Sequence, residues 1–139
     1  MITWNETLAT GNARVDAQHK ALLEKFNDLS AVFSGTSNAK IRLAAGEVLD
    51  YLLFYARWHF EQEELIMAEV HCPLAELNKS EHRDFLKRIG DFYLQWQTGN
   101  MDLELARNAY AAMEQWVVHH ITHVDSALRE NLQEKDQPA

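Results

Sequence analysis

The 139 residues suit a single domain, and a 47% hydrophobic content is enough to build an ordinary globular core. A net charge of -8, from 21 acidic against 13 basic residues with no Lys/Arg cluster, argues against nucleic acid or an anionic membrane as a partner. No apolar run approaches the ~20 residues of a membrane span and the first residues lack the pattern of a signal peptide, so a cytoplasmic setting is expected.

Two prolines and five glycines are few breakers for this length, which favours long helices over short strands. Residues 1–15 read as an extended arm, with Trp4 and Leu8 packing against the body. A first helix is predicted over Asp16–Phe33, with Val15, His19, Leu22, Leu23, Phe26 and Phe33 on one stripe. Ser34-Gly35-Thr36-Ser37-Asn38 is a loop in which Ser37 or Asn38 can cap the next helix. That second helix, Ala39–Glu69, aligns Val48, Leu52, Tyr55, Ala56, His59, Glu63, Ile66 and Val70, and places Glu61 and Glu64 on the solvated far side.

His71-Cys72-Pro73 is a sharp break, where His71 is read as a hydrogen-bonded core residue and Cys72 as a loop residue. A lone cysteine excludes an internal disulfide, a zinc finger and an Fe–S cluster. A third helix over Leu74–Gln97 aligns Asn78 and His82 with Phe85, Leu86, Ile89, Phe92 and Trp96. After a turn at Thr98-Gly99-Asn100-Met101-Asp102, with Asn100 and Asp102 as caps, a fourth runs over Leu103–Leu132. Its apolar arc holds Met113, Val117, His120, Val124 and Leu128, with Ile121 and Asp125 toward one edge and His119 and His123 opposite. Short connections favour antiparallel neighbours, so the expected fold is all-α: an up-down-up-down four-helix bundle in residues 1–132, with a polar tail or start of a linker at 133–139.

Four histidines (His19, His59, His82, His120) and two carboxylates (Glu63, Asp125) thus point inward, with no inward Lys or Arg to balance them. Burying such groups is costly unless something neutralises them, and metal is the better account. Six N/O donors without a thiolate suit two ions with bridging carboxylates more than one tetrahedral ion. Spacing alone does not separate iron from manganese, or binding from catalysis. The five-residue step from His120 to Asp125 turns ~140° on a regular helix, so reaching a shared ion calls for a distortion such as a π-bulge.

The runs Trp4-Asn5 … Gly11-Asn12, Asp16-Ala17-Gln18-His19-Lys20, His59-Phe60-Glu61-Gln62-Glu63-Glu64, Pro73 … His82-Arg83-Asp84-Phe85 and Trp116-Val117-Val118-His119-His120-Ile121-Thr122-His123-Val124-Asp125 closely resemble the bacterial hemerythrin family. The resemblance spans nearly the whole chain, in order. It implies a non-haem di-iron centre in which His19 and His59 hold one iron and His82 and His120 the other. Glu63 and Asp125 then bridge the two ions together with an oxo or hydroxo group, and Trp116, Val117 and Ile121 wall the O2 pocket.

One position departs from the family pattern. A histidine usually stands one turn before His82, where this chain has Asn78. A neutral amide offers a weak ligand or an outer hydrogen bond, so an open iron position for O2, NO, azide or water is expected. That shifts the expectation from an O2 carrier or store toward an O2/redox sensor. A peroxidase- or oxidase-like di-iron enzyme is the further alternative, disfavoured by the histidine-rich shell. Family members occur fused to chemoreceptors or diguanylate cyclases, so the chain is also read as the sensory part of a longer signalling protein. No output-domain motif lies within it. Oligomeric state is not legible.

Overall fold

Four helices make up most of the structure, a computed structural model that describes residues 2–35, 38–99 and 102–129. They are α1 (Ala13–Phe33), α2 (Asn38–Glu69), α3 (Ala75–Gln97) and α4 (Leu103–His120), followed by a π-helical turn at Ile121–Asp125. They form the expected up-down-up-down bundle, and among the described residues no helix is long and apolar enough to cross a membrane. Of the cap candidates, Ser37 and Asn100 lie outside the described residues, as do positions 130–139 with the tail. Asp102 does cap α4, accepting from the Leu105 N–H at 2.8 Å.

Helix α1 begins at Ala13, earlier than the sequence pattern suggests, because Asn12 caps it by accepting from the Val15 N–H at 3.0 Å. The arm before it is not simply extended. Glu6–Leu8 forms a 3₁₀ turn capped by Asn5, and the segment is pinned at both ends. The Ile2 N–H and C=O both bond the Asn27 side chain at 2.8 Å, while buried Thr10 donates to Asp16 from its amide and its hydroxyl. Leu8 is buried and Lys20 lies over the Trp4 ring. The guanidinium of Arg129 donates to the carbonyls of Glu6 and Ala9, tying the arm to the last described turn.

The corner between α2 and α3 shows why the break falls where it does. His71 takes φ +53, and the Cys72 N–H reaches the Met67 carbonyl while the His71 N–H reaches that of Ala68. These are the paired bonds of a Schellman cap, in which the left-handed position usually falls to glycine. His71 is therefore an exposed capping residue, correcting its reading as a core group. Cys72 is buried beneath the corner, packed with Val15, Met67 and Leu128 in a small apolar cluster.

The main core fills the other end of the bundle, where Phe26, Leu29, Leu49, Leu52, Phe85 and Ile89 are fully buried. Each such side chain contributes about 1.5–3 kcal/mol relative to exposure. Phe33 meets Trp96 edge-on at 5.6 Å, and Tyr110 donates to the Phe26 carbonyl at 2.6 Å. Between this core and the small cluster lies a band of polar groups. His19, His59, Glu63, Asn78, His82, His120 and Asp125 are all buried there.

Candidate metal centre

Each helix supplies at least one member of the band. The period of each apolar stripe points His19 inward from α1, His59 and Glu63 from α2, Asn78 and His82 from α3, and His120 from α4. Asp125 joins them through the wide turn. The Ser126 N–H bonds the Ile121 carbonyl five residues back, and this one π turn brings Asp125 under His120 with Oδ1 3.1 Å from Nε2. The distortion anticipated from the five-residue step is present, at a position where such turns often serve a site.

The two carboxylates each reach imidazoles on both sides of the band. Glu63 Oε2 lies 2.9 Å from His19 Nε2 and 3.2 Å from His59 Nε2, while its Oε1 lies 3.1 Å from His82 Nε2. Asp125 Oδ2 lies 3.1 Å from His19 Nε2, and its Oδ1 faces His120. His82 and His120 bring their Nε2 atoms to 3.0 Å from each other. Two groups of donors capable of holding an ion result: His19, His59 and Glu63, and Glu63, His82, His120 and Asp125.

These residues fit metal better than closed ion pairs. Donors on neighbouring corners of an octahedron with ~2.1 Å bonds stand about 3 Å apart, which is the spacing found here. Glu63 Oε1 and Asp125 Oδ1 come within 3.1 Å of an imidazole nitrogen, yet neither makes an aligned hydrogen bond. Buried carboxylate oxygens are rarely left that way in a finished network.

Electrostatics points the same way. Burial lowers the basicity of His19, but its hydrogen bonds and charge contacts with Asp125 and Glu63 outweigh this and push it up to about 10. The same opposition, with Glu63 and Glu64 as partners, pushes His82 up to about 9. For His59 burial wins and the value falls. Burial would raise Glu63, yet the surrounding imidazoles of His19, His59 and His82 hold it well below the usual carboxylate range. Two dications would take the place of those protons.

Outside the ring of donors sits a second layer that the sequence pattern does not reveal. The Nδ1–H groups of three imidazoles donate outward: His59 to Gln18 Oε1 at 2.6 Å, His82 to Glu64 Oε2 at 3.2 Å, His120 to Glu81 Oε2 at 2.5 Å. Each bond leaves the Nε2 lone pair aimed at the centre, the arrangement expected of metal-ligating histidines. Glu64 is thus half-buried against His82, not solvated as its own helix period suggests. The signal was adjacency, since Gln18, Glu64 and Glu81 each neighbour a donor in sequence and serve a histidine on another helix.

Asn78 is fully buried one turn before His82, with Oδ1 2.8 Å from His120 Nε2 and Nδ2 without a partner. Trp116, Val117 and Ile121 line a cavity of about 10 Å³ together with His19, His59, His120 and Asp125. The Trp116 ring stacks on His120 at 4.6 Å, and Phe60 stacks on His82 at 3.8 Å. His119 and His123 stay on the exposed face, rings stacked at 4.1 Å.

The family model for the Hemerythrin HHE cation binding domain matches residues 10–130. The chain belongs to the hemerythrin family. A bacteriohemerythrin of Stenotrophomonas maltophilia is 28% identical over 127 residues, covering 91% of this chain and 78% of that one. A hemerythrin-like protein of Naegleria gruberi is 28% identical over 128 residues, covering 88% and 86%. A solved wild-type hemerythrin superposes with a TM-score of 0.84 at 26% identity, over 95% of this chain and 98% of the other. The hemerythrin domain binds a di-iron centre, so the cofactor this band serves is a pair of non-haem iron ions.

Proposed function

We propose that this hemerythrin domain binds O2 reversibly and reports its presence, acting as an O2/redox sensor more than as a store. In this reading His19 and His59 would hold one iron, His82 and His120 the other, and Glu63 and Asp125 would each serve both. When bound, the iron pair supplies the electrons that capture O2. The chain's own residues do the rest. Gln18, Glu64 and Glu81 fix the imidazole orientations, and Trp116, Val117 and Ile121 keep water from the pocket.

The observation that carries the sensor reading is Asn78. Its amide oxygen faces the His82–His120 side at 2.8 Å from His120 Nε2. A neutral amide is a weaker donor than imidazole, so an ion held on that side would keep a more readily exchanged position. Its buried, unpartnered Nδ2 can donate to a small ligand taken up there. An easily exchanged position shortens the time O2 is held before oxidation, which suits a signal and works against storage. A domain of this kind acts through another part of a longer protein or through a separate partner. The histidine-rich shell favours binding over peroxidase- or oxidase-like turnover, because di-iron enzymes in helix bundles favour carboxylate-rich sites.

The test compares the reduced, iron-loaded wild type with Asn78→His. The substitution is expected to slow autoxidation by at least about tenfold, equivalent to ~1.4 kcal/mol of barrier, and to lower azide stoichiometry. Unchanged autoxidation and unchanged azide binding would defeat the proposal.

A further inference from the structure

Two cavities share a single side chain. An apolar cleft of about 210 Å³ opens between α3 and α4, lined by Phe85, Phe92, Ala109, Ala112, Met113 and Trp116, with Arg88 its only charged lining residue. It lies where α3 and α4 pack more sparsely than α1 with α2 or α2 with α3. The second cavity is the space of about 10 Å³ among the metal-centre residues. Trp116 is the one residue that lines both.

Its indole is half-buried and held on its faces by stacking, on Phe85 at 4.3 Å and 19° and on His120 at 4.6 Å and 8°. Such aromatic contacts contribute about 0.5–1.5 kcal/mol each, so about 1–3 kcal/mol of stacking sets the hold on the indole. Resting on the O2-binding reading above, we propose that the α3–α4 cleft collects small uncharged gases and that Trp116 is the gate between it and the metal centre.

The chemistry of the walls sets the ligand class. An apolar cleft of this size takes up a small apolar gas, as engineered apolar cavities take up xenon. A hydrated anion loses its solvation there and gains one cation at most. Elsewhere around the centre, His82 and His120 are backed by the carboxylates of Glu64 and Glu81, which repel anions. The inner space is close to the smallest that holds one water molecule, so a ligand reaching it from the cleft must be small and must wait for the indole to move aside.

The variant Ala112→Phe fills the cleft from an exposed position on α4. Stopped-flow mixing of the reduced, iron-loaded protein with O2 is expected to show association and dissociation slowed together, by about tenfold or ~1.4 kcal/mol of barrier, with affinity and visible spectrum unchanged. Trp116→Leu is expected to accelerate both. Xenon-pressurised crystals of the wild type should hold xenon in the cleft, and those of Ala112→Phe should not. Wild-type O2 rates in Ala112→Phe, or an empty cleft under xenon, would overturn the route while leaving O2 binding intact. A wild type that takes up no O2 would instead overturn the functional reading, and xenon occupancy would then decide the cleft by itself.

Discussion

Iron uptake by the hemerythrin centre should expel protons in a number fixed by the buried imidazoles. In the metal-free chain His19 is pushed up to about 10 and His82 to about 9, so both carry a proton near neutrality. In the proposed ligand set neither can keep it while its Nε2 binds iron. At about pH 7.5 the two together release about two protons, falling to about 1.4 at about pH 9 and about 0.6 at about pH 10. Apparent iron affinity should then rise by about two decades per pH unit below about pH 9, equivalent to ~2.7 kcal/mol per unit. Stability of the metal-free fold should move the other way. Both folded-state values lie above the ordinary 6.5, so their contribution is complete below that pH and is lost as pH climbs through 9 and 10. Anaerobic calorimetry of ferrous iron binding in two buffers of different protonation heat counts the protons directly. Fewer than one proton near pH 7.5, or an affinity flat between about pH 6.5 and 8, would refute this account.

Two further tests probe the surrounding structure. Glu81→Ala removes the acceptor 2.5 Å from His120 Nδ1, and should weaken metal retention by about 10–100-fold in a chelator competition while leaving the circular dichroism unchanged. His71→Gly relieves the left-handed backbone at φ +53 in an exposed cap, and should stabilise the metal-free chain by about 0.5–1 kcal/mol in urea denaturation.

Much of this architecture is legible in the sequence because helical period reports which way a side chain faces its own axis. His19, His59, Glu63, His82 and His120 all appear on apolar stripes and are all buried together. The π turn is legible too, since a five-residue step from His120 to Asp125 cannot serve one ion on a regular helix. What period does not report is where the neighbouring helices stand. Glu64 lies about 100° around α2 from Glu63 and looks solvated by that measure, yet His82 on α3 reaches over to it. Gln18 and Glu81 escape for the same reason, each serving a histidine on another helix. The early start of α1 and the αL cap at His71 depend on local hydrogen bonds, from Asn12 and to Met67 and Ala68, that apolar patterning does not encode.

The clasp of Arg129 on the Glu6 and Ala9 carbonyls bears on the order in which the molecule is put together. Three donors, His19, His59 and Glu63, meet across the single α1–α2 hairpin, with His19 and Glu63 44 positions apart. Asp125 must close a loop of 106 positions back to His19, at about 0.8 kcal/mol of additional chain entropy, and the Arg129 clasp ties the residues after its turn to the amino-terminal arm. The His19, His59 and Glu63 donors therefore need only the first hairpin to come together. The group of Glu63, His82, His120 and Asp125 needs all the later helices, so the two halves of the band differ in how much of the fold each requires.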